Sequence, residues 1–152
     1  MTTPPSPARP GGPLDDLLCF SVYTAGLAFN RVYKPLLDRY GITYPQYLAL
    51  VALNSEEGQT VGELGEKLFL ESNTMTPLLK RLENGGLLSR KRDGQDERVV
   101  RVTLTDAGRA LAQEAQTCLT DEIGTAIGLD AAARARLTDQ ISALADTLRR
   151  AA

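Results

Sequence analysis

Asn73, Thr76, Pro77 and Lys80 fall three and four residues apart, on one face of any helix that contains them. Met75, Leu78, Leu79 and Leu82 take the other side of the segment with the spacing of a buried face. The exposed set is made of short hydrogen-bonding groups and a cation. Those groups reach base edges and phosphates when a helix lies in the DNA major groove. Upstream, Val61, Leu64 and Leu68 supply a packing partner within Thr60–Leu68, and Phe69–Glu71 reads as a tight turn. Helix, short turn, helix and charged hairpin make the outline of a winged helix-turn-helix.

The hairpin carries charge of its own. Leu87–Arg92 and Val99–Thr105 have strand composition and flank Asp93-Gly94-Gln95-Asp96-Glu97-Arg98, which has turn chemistry. Seven of the seventeen Lys and Arg residues lie between Lys80 and Arg101, against four acids, in a chain of net charge −2. A basic patch confined to one region of an acidic protein suits phosphate neutralisation without general adhesion to polyanions. An isolated charged hairpin would be read as merely solvated; beside a helix-turn-helix pattern it is read as a DNA contact.

Other chemistries find little support. The chain has no histidine, so the commonest general base is missing, and two cysteines imply neither a disulfide scaffold nor an ordinary zinc site. No Walker loop, dinucleotide fingerprint or serine triad is present. Neither cofactor nor metal is expected, and no apolar run is long enough for a membrane span. Residues 1–12, rich in Pro, Gly, Ser and Thr, predict a disordered tail and not a signal peptide, which places the chain in the reducing cytoplasm.

From Pro13 the pattern turns helical. Leu14, Leu18, Val22, Ala25, Phe29, Val32 and Leu36 trace an apolar stripe, Pro35 should bend or interrupt the helix near Lys34, and Gly41 should end it. Thr43 and Thr105 read as helix N-caps, the latter for a helix to about Ile127. A last helix over Ala131–Arg149 sets Leu137, Ile141, Leu144 and Leu148 in a seam suited to a partner helix. The expected order is ααααββαα, a mainly α chain with a small β-hairpin wing (α+β). Residues 13–152 form one domain on this reading. The winged helix-turn-helix takes about 43–104, and terminal dimerisation helices take about 13–40 and 106–150.

The wing residues Asp96-Glu97-Arg98 leading to Leu104-Thr105-x-x-Gly108 resemble the MarR family of winged-helix repressors. Residues 17–53, with Cys19-Phe20 and Thr43-Tyr44-Pro45-Gln46-Tyr47-Leu48, and the stretch Leu68–Leu87 resemble its organic hydroperoxide resistance branch, the OhrR type. The likeness runs from about Leu17 to Gly108; beyond that it is mainly helical pattern. It implies a homodimer on an inverted-repeat operator in double-stranded DNA. Ser72, Asn73, Thr74, Thr76, Pro77 and Lys80 would face the major groove. Arg98 would enter the minor groove, positioned by Asp96, with Arg81, Arg90 and Arg92 on phosphates.

The residues alone make Cys19 an inert packing residue. Asp15 and Asp16 would lie one turn earlier on its helix and oppose a thiolate, and the helix start would be too far away to help. The resemblance implies the reverse: a redox-sensing Cys19, supported by hydroxyls of Tyr33 and Tyr44 from the other subunit. Tyr23 and Tyr47 read as packing aromatics. The resemblance further implies that an organic hydroperoxide would act as inducer by oxidising Cys19, and that a small thiol would then form a mixed disulfide with it. Cys118 is a possible resolving cysteine, but its alignment with Leu111 and Ala115 favours packing. Two alternatives stay open. One is a MarR-type repressor controlled by a small aromatic or phenolic ligand, with Cys19 inert; the other is a cysteine-based thiol peroxidase.

Overall fold

The structure is a computed structural model that describes residues 11–152. Most of the tail expected over residues 1–12 therefore lies outside the described residues. The order is α1 (Leu18–Asp38), α2 (Tyr44–Ser55), β1 (Gln59–Thr60), α3 (Val61–Leu68), α4 (Ser72–Asn84), β2 (Leu88–Arg92), β3 (Val100–Leu104), α5 (Asp106–Ile127) and α6 (Ala131–Ala151). The strands form one antiparallel sheet in the order β1-β3-β2, with Leu88 opposite Leu104 and Arg92 opposite Val100. Among the described residues no helix is long and apolar enough to cross a membrane.

The core lies where α2, α4 and α5 meet the sheet. Leu50 and Leu53 from α2, Leu64 from α3, Met75 and Leu79 from α4, Val102 from β3 and Ala112 and Ala115 from α5 are fully buried. Each fully buried Leu contributes about 1.5–3 kcal/mol of transfer free energy, which anchors the recognition helix from behind. The expected caps form. Thr43 and Gln46 make a reciprocal capping box at α2, and Thr105 Oγ1 accepts from Gly108 N–H at 3.0 Å; Thr60 and Glu63 add a capping box at α3 that was not expected.

Three expectations change. First, α1 begins at Leu18, not Pro13; residues 13–16 form a turn held by Leu17 N–H to Leu14 O at 3.1 Å. Pro13 suits that turn as well as a helix start, because its fixed φ is common to both. Second, α1 runs through Pro35 to Asp38. Arg31 and Pro35 are exposed, so the carbonyl that loses its helical donor there faces solvent. Third, a short strand, β1, stands between α2 and α3, where the expected order had none. The apolar stripe of α1 faces away from the chain's own core. Leu18, Val22, Phe29 and Val32 are exposed, and Leu37 is the helix's buried residue. In α6, Leu137, Ile141 and Leu148 are exposed too.

Gly108 joins the wing to α5 and cannot carry a side chain. A Cβ there would lie 1.8 Å from the Leu87 carbonyl oxygen, while Thr105 N–H donates to that same oxygen at 3.1 Å. Gly108→Ala must push α5 off the base of the wing, at a cost of about 1–3 kcal/mol or more. The expected result is a lower denaturation midpoint, with Ala107→Ser, exposed on the same turn, as a near-neutral control. An unchanged midpoint for Gly108→Ala would show that this joint yields freely.

Candidate nucleic-acid interface and thiol site

The helix-turn-helix is built around a close backbone approach. A Cβ on Gly65 would meet the Leu70 carbonyl oxygen at 2.8 Å, so glycine lets α3 and the elbow draw together. Phe69 closes α3 in the left-handed region at φ 55. α4 then buries Met75, Leu78, Leu79 and Leu82 and exposes Ser72, Asn73, Thr74, Thr76, Pro77, Lys80 and Arg81. The face expected to read bases is therefore free of the core. Ser72 does not cap α4: Glu71 is the N-cap and makes no side-chain cap, while the Ser72 carbonyl accepts from Thr76 Oγ1 at 2.9 Å.

At the wing, Asp96 Oδ1 accepts from both Arg98 N–H at 3.1 Å and Arg98 Nε at 3.3 Å, and the Arg98 side chain is 92% exposed. Asp96 thus sets the direction of an arginine that touches little else. The Arg90 backbone N–H and guanidinium both donate to Glu83, at 2.9 and 3.2 Å, with only 25% of the side chain exposed. Arg90 ties β2 to the end of α4 through Glu83. Arg92 spends one donor on the Glu97 carbonyl at 2.8 Å and is otherwise exposed. The Arg90 side chain, then its backbone N–H, hold the Glu83 carboxyl below the usual range. Gln95 N–H, then Arg101, do the same for Asp93. These braces act above the ordinary carboxylate pKa and are lost as pH falls through the lowered folded values.

The thiol site is split between two ends of α1. Cys19 is exposed and is the second residue of the helix, since Leu17 is the N-cap. The late start of α1 reverses two inferences from sequence. Asp15 and Asp16 precede the helix, and Cys19 lies in its first turn and not a turn and a half along it. At the other end the Tyr33 and Tyr44 rings pack at a 51° tilt with centroids 4.8 Å apart, and the Tyr47 ring lies 6.2 Å from Tyr33. Burial, reinforced by Tyr44 and Tyr47, pushes the Tyr33 phenol up to about 12, so it remains a neutral hydroxyl donor. Burial also raises Tyr44 and Tyr47. Fourteen residues of helix separate Cys19 from Tyr33, a rise of about 21 Å, so the two cannot meet within one chain. Tyr47 packs in the core as expected, whereas Tyr23 is exposed on α1, 6.4 Å from the Phe20 ring.

Residues 31–115 match the family described as Transcriptional regulator SarA/Rot. The chain is 47% identical over 116 residues to the organic hydroperoxide resistance transcriptional regulator of Bacillus subtilis strain 168, covering 76% of each protein. The chain belongs to the MarR-type winged-helix transcriptional regulators. Within them it falls in the organic hydroperoxide regulator branch. It is also 47% identical over 135 residues to the HTH-type transcriptional regulator TtmR of Methylorubrum extorquens PA1, covering 89% of this chain and 69% of that one. Reduced AbfR bound to DNA, a Staphylococcus epidermidis protein, superposes with a TM-score of 0.74 at 36% identity, over 91% of this chain and 94% of that one. AbfR has also been solved overoxidised on DNA and in a disulfide form.

Several contacts of this MarR-type chain had no sequence signal. Cys118 is exposed, so it is not the packing residue its spacing suggested; the buried positions of α5 are Ala112, Ala115, Leu119 and Ile123, one step round the helix. A hydrogen bond with Cys118 is the main cause raising the Tyr40 phenol. One turn on, Glu122 takes both oxygens to Arg39, at 2.8 and 2.7 Å, tying the end of α1 to α5. Arg101 braces the wing through Asp93 at 2.6 Å and the Gly58 carbonyl at 3.0 Å. β1, which receives that brace, is two residues long and below the reach of any alternation pattern.

Proposed function

We propose that this chain is a dimeric, DNA-binding repressor that senses organic hydroperoxides through Cys19 and then releases its operator. The observation that carries the reading is the separation of Cys19 from the Tyr33–Tyr44 pair along a single helix, with the apolar flank of α1 exposed between them. A second copy docked through α1 and α6 would cover Leu18, Val22, Phe29, Val32, Leu137 and Ile141. It would also bring one protomer's thiol to its partner's phenols. Ser72, Asn73, Thr74, Thr76, Pro77 and Lys80 then read the major groove of each half-site. Arg98 enters the flanking minor groove, and Arg81 and Arg92 serve phosphates.

In the reaction, the Cys19 sulfur attacks one peroxide oxygen. The S–O bond forms as the O–O bond breaks, the sulfur is oxidised to sulfenic acid, and the hydroperoxide leaves as its alcohol after taking up a proton. A small thiol then displaces hydroxide from the sulfenic sulfur, giving a mixed disulfide and water. The tyrosine hydroxyls that donated to a thiolate lose that partner, and the two recognition helices shift relative to each other. Half-sites lie about one DNA turn apart, so a small shift forfeits affinity. The chain acts stoichiometrically as a regulator, not as a peroxidase, and works in the cytoplasm. Cys118, exposed and bonded to Tyr40, is the second thiol through which a disulfide could form instead.

The test combines two readouts. Reduced protein is bound to a duplex selected from a random pool, then treated with one equivalent of an aryl alkyl hydroperoxide and a low-molecular-weight thiol. Release of DNA in step with a mixed-disulfide mass on the Cys19 peptide is expected. Release by a phenolic acid without any mass change would favour the ligand-controlled repressor. Peroxide loss far beyond one equivalent per chain would favour the peroxidase.

A further inference from the structure

Phe69 occupies a place where helices ordinarily put glycine. It is the single non-glycine residue with positive φ among the described residues, and its ring is 65% exposed. Neither backbone ease nor core packing accounts for a phenylalanine there. The Arg149 guanidinium does, lying over the ring with its Cζ 3.7 Å from the centroid. Asp146, one turn earlier on α6, pairs with Arg149 and orients it. The planar guanidinium is suited to stacking on an aromatic face. The contact joins residues 80 apart in sequence: the last turn of α6, and the elbow three residues before α4 begins.

We infer that Arg149 and Phe69 form a clamp that positions the recognition helix relative to α6, and so sets the half-site spacing the protein accepts. Arg149 acts as a positioning residue here and not as a DNA ligand. The elbow backbone is otherwise fixed locally, through Leu70 N–H to Gly65 O at 2.9 Å and the buried face of α4. Those bonds hold α4 on α3 but say nothing about α6. The clamp adds that link, from an element with three exposed apolar residues on its partner-facing seam.

The inference rests on the DNA-binding reading and is independent of the redox one. The full-length reduced protein is used to select an inverted-repeat duplex from a random pool, and the central spacer is then lengthened or shortened by one base pair. Wild type should prefer the selected spacing. Arg149→Ala should lose about fivefold on that duplex and little on the spacer variants, so that discrimination falls by the same factor. Phe69→Leu should match it, Phe69→Tyr should restore wild-type behaviour, and the Phe69→Leu, Arg149→Ala double variant should lose no more than either single one. An equal loss on all duplexes with a salt slope reduced by about one would make Arg149 a phosphate contact and overturn the clamp. Unchanged discrimination in Arg149→Ala and Phe69→Leu would overturn it too. A wild-type protein that enriches no duplex would remove the DNA-binding reading itself.

Discussion

Arg98→Ala is expected to weaken operator binding at least thirtyfold while leaving the folded dimer intact. A base- or groove-reading arginine is worth about 1–3 kcal/mol, and a symmetric dimer carries two of them. Even the lower bound, about 2 kcal/mol in total, is about thirtyfold in affinity. Almost nothing opposes this on the stability side. The Arg98 side chain is 92% exposed and its pair with Asp96 is a surface ion pair, worth about 0–1 kcal/mol at most. Titration at fixed salt, beside a thermal melt, should therefore show a large affinity loss with an unchanged melting temperature. Arg90→Ala makes the instructive contrast. It removes the two side-chain donors to Glu83, leaving only the backbone N–H, and should lower stability as well as affinity, because the tie between β2 and the end of α4 is weakened. Unchanged affinity for Arg98→Ala would take the wing tip out of the interface and leave α4 as the reader.

The sequence reading succeeded wherever a residue's type and periodicity fixed its role without reference to a distant neighbour. The two faces of α4, the caps at Thr43 and Thr105, the Phe69 elbow and the two strands of the hairpin are all local patterns. The Asp96–Arg98 pair that the resemblance implied is present, and it too is local, the two residues lying two apart. Less was legible where a partner outside the local pattern decides. Arg90, Arg92 and Arg101 are the same residue type on one hairpin, yet Glu83, the Glu97 carbonyl and Asp93 with Gly58 give them different duties. The boundary of α1 was the costliest error. Moving it from Pro13 to Leu18 takes Asp15 and Asp16 off the helix and places Cys19 in its first turn, so neither premise of the sequence argument about that thiol holds. Cys118 shows the limit of helical spacing, because a rotation of one residue separates the buried Leu119 from the exposed thiol.

Cys19→Ser is expected to abolish the hydroperoxide response while preserving DNA binding. The substitution keeps a small polar atom at an exposed first-turn position, so neither packing nor the helix start is disturbed. It removes the sulfur on which sulfenic acid and mixed disulfide form. Release of DNA at one equivalent of hydroperoxide should therefore fall from complete in the wild type to none in the variant. Tyr33→Phe and Tyr44→Phe should retard the reaction without abolishing it, because each removes one neutral donor and leaves the nucleophile in place. Their effect should appear in mixed dimers only when the substituted tyrosine and the intact cysteine lie on different chains. That requirement follows from the rise of about 21 Å between Cys19 and Tyr33 along a single α1. Cys118→Ser provides the remaining arm. With a small thiol supplied it should still release DNA, because the mixed disulfide forms at Cys19. A disulfide-linked dimer on non-reducing gels, lost in either serine variant, would instead make Cys118 the resolving thiol. A Cys19→Ser protein that still leaves its operator on oxidation would move the sensor away from α1, to the Cys118–Tyr40 contact between α5 and the end of that helix.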